Sequence, residues 1–596
     1  MCGIFGIIRR EGPPQRAALE AMQAALIHRG PDAQGIDIAG RVGLGNVRLS
    51  ILDLSPAGDQ PVFSDDGRIA LIQNGEIYNY VELREELSAL GAQFRSTGDT
   101  EVLLRAFEQW GPDFVTRLQG MFAIAVHDRR TDAVWLYRDR IGVKPLYIAE
   151  RPEGVYFASE IKAILAAGVP AAPDLGALAS ILGPGFIPPP RTAFEGIAHV
   201  PPATRLKIGA RIESTRYWRL EDVQPEDMTA EEAAEATLAL ADDATRVRLR
   251  SDAPFGAFLS GGVDSASVVG LMSRHMAEPV HSFSIGFDDP RFDETPHAEA
   301  AAARFGARHH AEMAEPDIVA LWPRFIWHCD QPHQDVSFMP TDLVSRLARR
   351  RVKMVLTGDG GDELYGGYTK YTGLFPGGAG HEGWEDDYAR SLMVADDAQA
   401  RGLFTGAMAE AWAGQDIMAP VRGAVTSAPH QDPINRVLIG DVTLLLPGNN
   451  LVKPDRMSMA NSLEVRSPYL DYRLAELAFR IPGHLKLAGG RTKAVLKEAV
   501  RPLIGDALTD RAKQMFTMPI GEWFKDALAP YCREILLDGR MGARGWVDEA
   551  AARALVEAHL SGAANHTRQV RALISLEIWA RLFLDRDADL LAKARA

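Results

Sequence analysis

The stretch Ala253–Met272, APFGAFLSGGVDSASVVGLM, decides the architecture of the larger part of the chain. An apolar run ends at Leu259. Ser260, Gly261, Gly262, Val263, Asp264 and Ser265 form a turn, and a helical pattern begins. A strand, a glycine turn and a helix in this order present backbone N–H groups and the positive end of a helix dipole to an anion. The glycines let phosphate oxygens come close to the backbone, and Ser260 and Ser265 add hydroxyl donors. No Gly-Lys-Ser/Thr follows, so the turn is not a Walker A loop. A second turn, VLTGDGGDELYGGY from Val355 to Tyr368, also follows an apolar run and crowds Asp359, Asp362 and Glu363 together. Closely spaced carboxylates repel and suit a bound cation. Asp264 and Asp362 are the candidate ligands for Mg²⁺ on a pyrophosphate.

Outward from these turns, the apolar runs PFGAFLS, VHSFSIGF and VKMVLTG alternate with Ala- and Leu-rich helical patterns from about Met228. That alternation predicts a parallel α/β sheet. Residues 380 to 596 read as mostly helical. Upstream, residues 1 to about 205 hold short β-rich runs (GIFGII, GRIALIQNG, GMFAIAVHD, AVWLYRD, GVYFAS), with helical patterns at Tyr80–Leu90 and Thr100–Trp110. Many strands and few helices predict packed antiparallel sheets. The Pro- and Gly-rich run from Gly183 to Pro202 reads as a structured connector rather than a flexible linker.

A chain of 596 residues is too long for one core and implies two or three domains. A net charge of −14 argues against a nucleic-acid partner. No run of about 18 apolar residues is present, so no membrane span is expected. The start, MCGIFGIIRREG, lacks the plan of a signal peptide. Cys2, Cys329 and Cys532 form neither a disulfide framework nor a zinc motif, and the cytoplasm is the expected compartment.

Cys2 follows the initiator Met1. Removal of Met1 would leave Cys2 with an α-amine of pKa about 7.7–8.0, suited to a general base beside its own thiol. A small buried hydrophobe is the commoner fate of a free cysteine; the position at residue 2, before Gly-Ile-Phe-Gly-Ile, argues for the nucleophile.

Ten ordered motifs carry a resemblance. MCGIFGI, HRGPD (His28 to Asp32), RLSILD (Arg48 to Asp53), NGEIYNY (Asn74 to Tyr80), TGDTEV (Thr97 to Val102) and RDRIGVKPLY (Arg138 to Tyr147) are similar to the class II glutamine amidotransferase domain. SGGVDS resembles the pyrophosphate loop of ATP pyrophosphatases. With FSIGFDDPRFDE, TGDGGDELYGGY and DRMSMANSLEVRSPYLD (Asp455 to Asp471), it resembles the synthetase domain of the asparagine synthetase family, colinear over roughly residues 2 to 525. The resemblance implies an α+β N-terminal nucleophile (Ntn) sandwich over 2–205 and a connector over 206–227. An α/β parallel-sheet ATP-pyrophosphatase domain with a helical C-terminal part would cover 228–596.

It also implies roles. Cys2 would attack the glutamine side-chain amide, with Asn74 and the Gly75 N–H as oxyanion hole. Arg48 would hold the glutamine carboxylate, and Glu76 and Asp99 its amine end. Leu259, Ser260, Gly261, Gly262, Asp264, Ser265, Ile285 and Gly358 would hold ATP. Lys513, in DRAKQMFTMPIGEW, would steady developing charge, and Asp359 would handle a proton as ammonia attacks. The partners implied are glutamine, ATP and a carboxylate, with aspartate the default and a sugar acid, peptide or secondary metabolite the alternative; a homodimer is left open. An internal, water-poor passage would carry ammonia between the centres. In HCDQPHQDVSFMP (His328 to Pro340), Gln331 and Val336 stand where the family commonly has Glu and Pro, and Met515 stands where Gly is usual. These departures put the acceptor in question, not the chemistry. A phosphoribosyl amidotransferase is disfavoured by SGGVDS. A silent glutamine sensor is disfavoured by intact Cys2, Asn74 and Asp264, and a β-lactam synthetase by the retained Cys2.

Overall fold

Period-two alternation in the apolar strands sets the layers of the first domain. The computed structural model describes residues 2–314, 320–511, 520–525 and 528–595. Its first strands are β1 (Cys2–Arg9), β2 (Ala33–Ala39), β3 (Val42–Arg48), β4 (Val62–Phe63), β5 (Ile69–Ile77) and β6 (Gly120–Asp128). They are followed by β7 (Ala133–Arg138), β8 (Tyr147–Arg151), β9 (Gly154–Ala158), β10 (Ile197–His199), β11 (Thr204–Ile208) and β12 (Ile212–Arg216). They form two six-stranded sheets, in the orders β10-β8-β9-β1-β3-β2 and β12-β11-β7-β6-β5-β4. Ile4, Ile8, Val42 and Leu44 of the first sheet meet Ala70, Ile72, Ala123 and Ala125 of the second in one core. The intervening residues point outward. Phe5 and Ile7 pack with Leu19, Met22 and Leu26 of helix Arg16–Leu26. Leu71, Phe122 and Ile124 pack with Leu83 and Val102 of helices Tyr80–Ala89 and Asp99–Trp110. The result is an α/β/β/α sandwich of the Ntn type.

The second sheet runs on to Arg216, into the segment read as connector. The Pro/Gly run 183–202 is largely buried. The Val394 N–H donates to Gly183 O at 2.7 Å and the Gln334 N–H to Gly185 O at 3.1 Å.

In the second domain β13 (Phe255–Phe258), β14 (His281–Gly286), β15 (Arg308–Met313), β16 (Met354–Leu356) and β17 (Glu464–Arg466) make a five-stranded sheet, ordered β15-β14-β13-β16-β17. Every pairing is parallel. The chain moves from β13 outward through β14 and β15, then returns to the other side of β13 as β16. Ligands of such sheets bind outside the carboxyl ends of the strands where this order reverses. SGGVDS follows β13 and TGDGGDE follows β16, so the reversal brings the two turns side by side. Among the described residues the helical C-terminal part holds one strand, β17, three buried residues of which Glu464 and Arg466 are charged. Among the described residues no helix is long and apolar enough to cross a membrane.

Candidate active sites

Cys2 starts β1 and pairs with Arg48 at the end of β3. Its backbone N–H donates to Asn74 Oδ1 at 3.1 Å. Burial pushes its thiol up from the ordinary value, so forming the thiolate requires a base. Cys2, Arg48, Gly75, Glu76 and Asp99 line one cleft; Asn74 is fully buried behind it and also donates to Ser159 Oγ at 3.4 Å. Gly75 is required by its backbone: φ is +144°, and a Cβ there would sit 2.0 Å from Met121 O. Asp99 Oδ2 accepts from Gln73 Nε2 (2.9 Å) and the Ile77 N–H (2.8 Å). Burial raises the Asp99 carboxyl. Arg48 is already engaged: Nη1 donates to Asp59 Oδ1 at 2.7 Å, and Nη2 to Leu52 O at 3.0 Å and Asp53 O at 2.5 Å. Glu76 faces Arg466 of the second domain, 3.3 Å away; burial and the nearby Glu464 drive its carboxyl well up.

The two phosphate-type turns meet as the sheet order dictates. A Cβ on Gly358 would lie 2.6 Å from Asp264 Cβ, so only glycine allows the approach. Ser260 and Ser265 hydroxyls share a hydrogen bond at 3.1 Å. Gly262 caps helix Val263–His275. Gly261, at φ +72°, packs against His297, and its carbonyl accepts from Arg511 at 3.2 Å. Leu259, Ser260, Gly262, Asp264, Ser265, Ile285, Gly358, Asp359 and Asp362 line a cavity of about 910 Å³; Gly261 stands behind its wall. Asp359 Oδ2 accepts from Thr357 Oγ1 at 2.6 Å. Burial raises the Asp359 carboxyl, with Asp264 and Asp362 adding to the rise against the opposing pull of Lys453.

The carboxylate cluster holds a cation from the protein itself. Lys493 bonds to Asp264 and lies 2.7 Å from Asp362. Asp264 Oδ1 is buried without a hydrogen-bond partner. A buried orphan carboxylate oxygen fits a divalent cation with oxygen ligands, so the residues present suit Mg²⁺. Lys493 carries no motif in the sequence; its place in helix-like RTKAVLKEAV gave no signal. Lys513 and Met515 lie outside the described residues. Gln331 and Val336 are buried, and Gln331 Oε1 accepts from the Ala193 N–H at 3.0 Å. Neither lines the cavity, whereas Gln334, Asp335 and Ser337 of the same segment do.

Helix Val452–Met459 stands between the two centres. Its Lys453 and Pro454 line the cavity. Its Asp455 takes two hydrogen bonds from Arg29, at 2.9 and 3.0 Å, and Arg29 Nε donates to Cys2 O at 3.1 Å. Arg29 also donates to Glu160 at 2.8 Å, and Glu160 lies 2.9 Å from Arg456. Burial drives the nearby His199 well below the ordinary imidazole value, and both its ring nitrogens lack partners.

A cleft holding Cys2 and a cavity lined by the two phosphate-type turns, with helix Val452–Met459 between them, fit a glutamine-dependent amidotransferase. The family models and curated relatives agree. Residues 1–218 match the family model for a glutamine amidotransferase domain, and residues 236–581 that for asparagine synthase. Asparagine synthetase [glutamine-hydrolyzing] 1 of Bacillus subtilis is 30% identical over 98% of this chain and 97% of its own. Amidase chyE of Penicillium rubens is 28% identical over 94% of each chain. A solved glutamine phosphoribosylpyrophosphate amidotransferase of B. subtilis matches 53% of this chain and 82% of its own, at 16% identity and a TM-score of 0.30. The chain belongs to the asparagine synthase family, ligases that take their amido nitrogen from glutamine.

Proposed function

We propose that the protein amidates L-aspartate to L-asparagine through an acyl-adenylate, releasing AMP, PPi and glutamate. Helix Val452–Met459 carries the reading, because within four residues it touches the ATP cavity and the partner of the nucleophile's own backbone.

With Met1 removed, the Cys2 amine takes the thiol proton and the sulfur attacks the glutamine amide carbon. Asn74 and the Gly75 N–H receive the oxyanion; one such donor is worth about 2.7–4 kcal/mol. The Cys2 ammonium returns that proton to the amide nitrogen, ammonia leaves, and water releases glutamate from the thioester. The glutamine carboxylate shares the Arg48 guanidinium with Asp59, whose side chain is 45% exposed and free to yield. Asp99 and Glu76 receive the amine.

In the cavity the acceptor carboxylate attacks the α-phosphorus of ATP, and PPi leaves along the Ser260–Ser265 turn. Asp264 and Asp362 would hold Mg²⁺, which when bound neutralises phosphate charge. Lys493 adds a second cation beside the leaving group. Neutral ammonia then attacks the adenylate carbonyl carbon, AMP departs, and Asp359 takes the surplus proton. Lys513 is assigned to developing charge on the phosphate and acyl group. Ammonia in water is mostly protonated, so it crosses the buried interface at Arg29, Glu160 and Asp455 rather than bulk solvent. A carboxylate other than aspartate is the second reading, favoured by the amidase relative.

Cys2→Ala tests the scheme. Glutamine-dependent AMP release should vanish while ammonia-dependent release persists. Full glutamine-dependent activity in Cys2→Ala would sink the nucleophile assignment. An AMP-release screen over aspartate and other carboxylates tests the acceptor.

A further inference from the structure

The cleft at Cys2 borrows a charge from the other domain. Glu76 lines that cleft from β5, and its Oε2 is buried without a hydrogen bond. Arg466 of β17 faces it, with Nη2 3.3 Å from that oxygen. The other two nitrogens of this fully buried guanidinium are taken. Nε donates to Glu464 Oε1 at 2.5 Å, and Nη1 to the carbonyls of Arg248 and Arg250 at 2.8 and 2.6 Å. Nη2 has no hydrogen-bond partner, so it is the nitrogen left over for Glu76.

The strand that carries Arg466 is fixed from behind. The Arg466 carbonyl accepts from the Thr357 N–H at 2.9 Å, and the Ser467 hydroxyl donates to Asp359 O. One strand thus faces the glutamine cleft on one side and braces the Asp359 turn on the other. Three carboxyls crowd the corner: Glu76, Glu464 and Asp99. The Cys2 thiol, Tyr78, Tyr80 and the chain's amino group face Glu76 as well. Burial, Glu464 and Asp99 favour a protonated Glu76, and Arg466 with the amino group opposes them. The balance matters because a charged carboxylate makes a far stronger hydrogen bond to an ammonium than a neutral acid does.

We propose that Arg466 is a positioning residue of the glutamine site, holding the Glu76 carboxylate charged and aimed at the glutamine ammonium. The glutamine pocket is then built by both domains, with synthetase strand β17 supplying a cation to a carboxylate of the glutaminase domain. This role rests on Glu76 receiving the glutamine amine, and adds a residue from outside that domain.

The test is glutamate release by the full chain, measured against glutamine concentration across a range of pH, with ammonia-dependent AMP release as the check on folding. Glutamine binds the ionised carboxylate, so its KM should rise as pH falls through the Glu76 value, which lies well above the ordinary one. R466Q removes a nearby opposite charge and should move that rise to higher pH by roughly one to three units, with kcat moved less than KM. R466K, which keeps the charge, should bring the rise back toward the wild-type position. E464Q removes a like charge and should move the rise the other way, to lower pH; it decides the matter should R466Q not fold. A rise that stays in place in R466Q, fails to move down in E464Q, or moves up as far in R466K as in R466Q would overturn the role of Arg466. E76Q separates the two readings and should raise KM and flatten its pH dependence. If E76Q leaves KM for glutamine unchanged, Glu76 is no glutamine ligand and both readings fall; if E76Q raises KM while R466Q leaves it in place, the role of Arg466 alone falls.

Discussion

Arg29→Met should uncouple the two activities. The Arg29 side chain is fully buried and joins Cys2 O, Glu160 and Asp455, three groups that meet where the domains touch. Removing it leaves two buried carboxylates. Glu160 keeps Lys162, in direct contact, and Arg456 at 2.9 Å. Asp455 keeps only the weaker contact to Lys144 at 3.8 Å in place of two hydrogen bonds. Stripping one partner from a buried ion pair typically costs about 3–5 kcal/mol. The surviving partners of Glu160 place this case near the lower end, about 3 kcal/mol. The Asp455 carboxyl is held below its usual range against burial, chiefly by Arg29, so its loss moves that group toward protonation. The assay measures glutamate and AMP in the same reaction, with calorimetric unfolding alongside. The ratio of glutamate to AMP should rise well above that of the wild type, while ammonia-dependent AMP release survives at the permissive temperature. A ratio and an unfolding midpoint both unchanged would refute the view that Arg29 seals the interface.

Gly75→Ala forces a side chain into left-handed backbone, costing roughly 1–2 kcal/mol before any clash, and its Cβ meets Met121 O at 2.0 Å. Glutaminase kcat should fall at least 100-fold with ammonia-dependent synthesis retained; a smaller fall would remove the Gly75 N–H from the oxyanion hole. Burial pushes the Lys486 ammonium down to about 7, below the value of about 10.4 it regains on unfolding. Between those values the unfolded chain binds more protons, so stability rises with pH from about 7 to about 10. Lys486→Met should flatten that rise in thermal midpoints measured across the range; an unaltered slope would contradict it.

The phosphate-type turns were legible because each combines an apolar strand with glycines in a fixed order, and the parallel sheet followed from the alternation around them. Hairpin β2–β3 was not. Its Gly43 and Gly45 weaken any strand signal, yet they exist to admit neighbours: a Cβ would fall 2.5 Å from Leu19 Cδ1 and 2.1 Å from Phe5 Cζ. Strand β17 escaped because three residues in a helical region carry no periodicity. Within the sites, Cys2, Asn74, Gly75 and the Asp264–Asp362 pair could be named from motifs. Arg29 lay inside HRGPD, whose likeness to a family says nothing of what the arginine touches. Lys493, just before helix Ala494–Ile504, and Lys453 and Arg571, on helices, are single cations, and only the fold reveals which carboxylates or cavity walls they meet. The departures at Gln331 and Val336 looked closest to the acceptor, yet neither residue lines the cavity.

The Pro/Gly run 183–202 bears on how this chain could be re-engineered. Linkers between separable domains are usually exposed and touch little. Here Gly183 and Gly185 accept hydrogen bonds from Val394 and Gln334, and Gly448 leaves room for Pro189 and Phe186. The same segment supports the floor on which Gln334 and Asp335 stand. A glutamine-using half grafted from a relative would therefore bring its own floor, and with it altered acceptor preference; the two catalytic halves are not interchangeable cassettes.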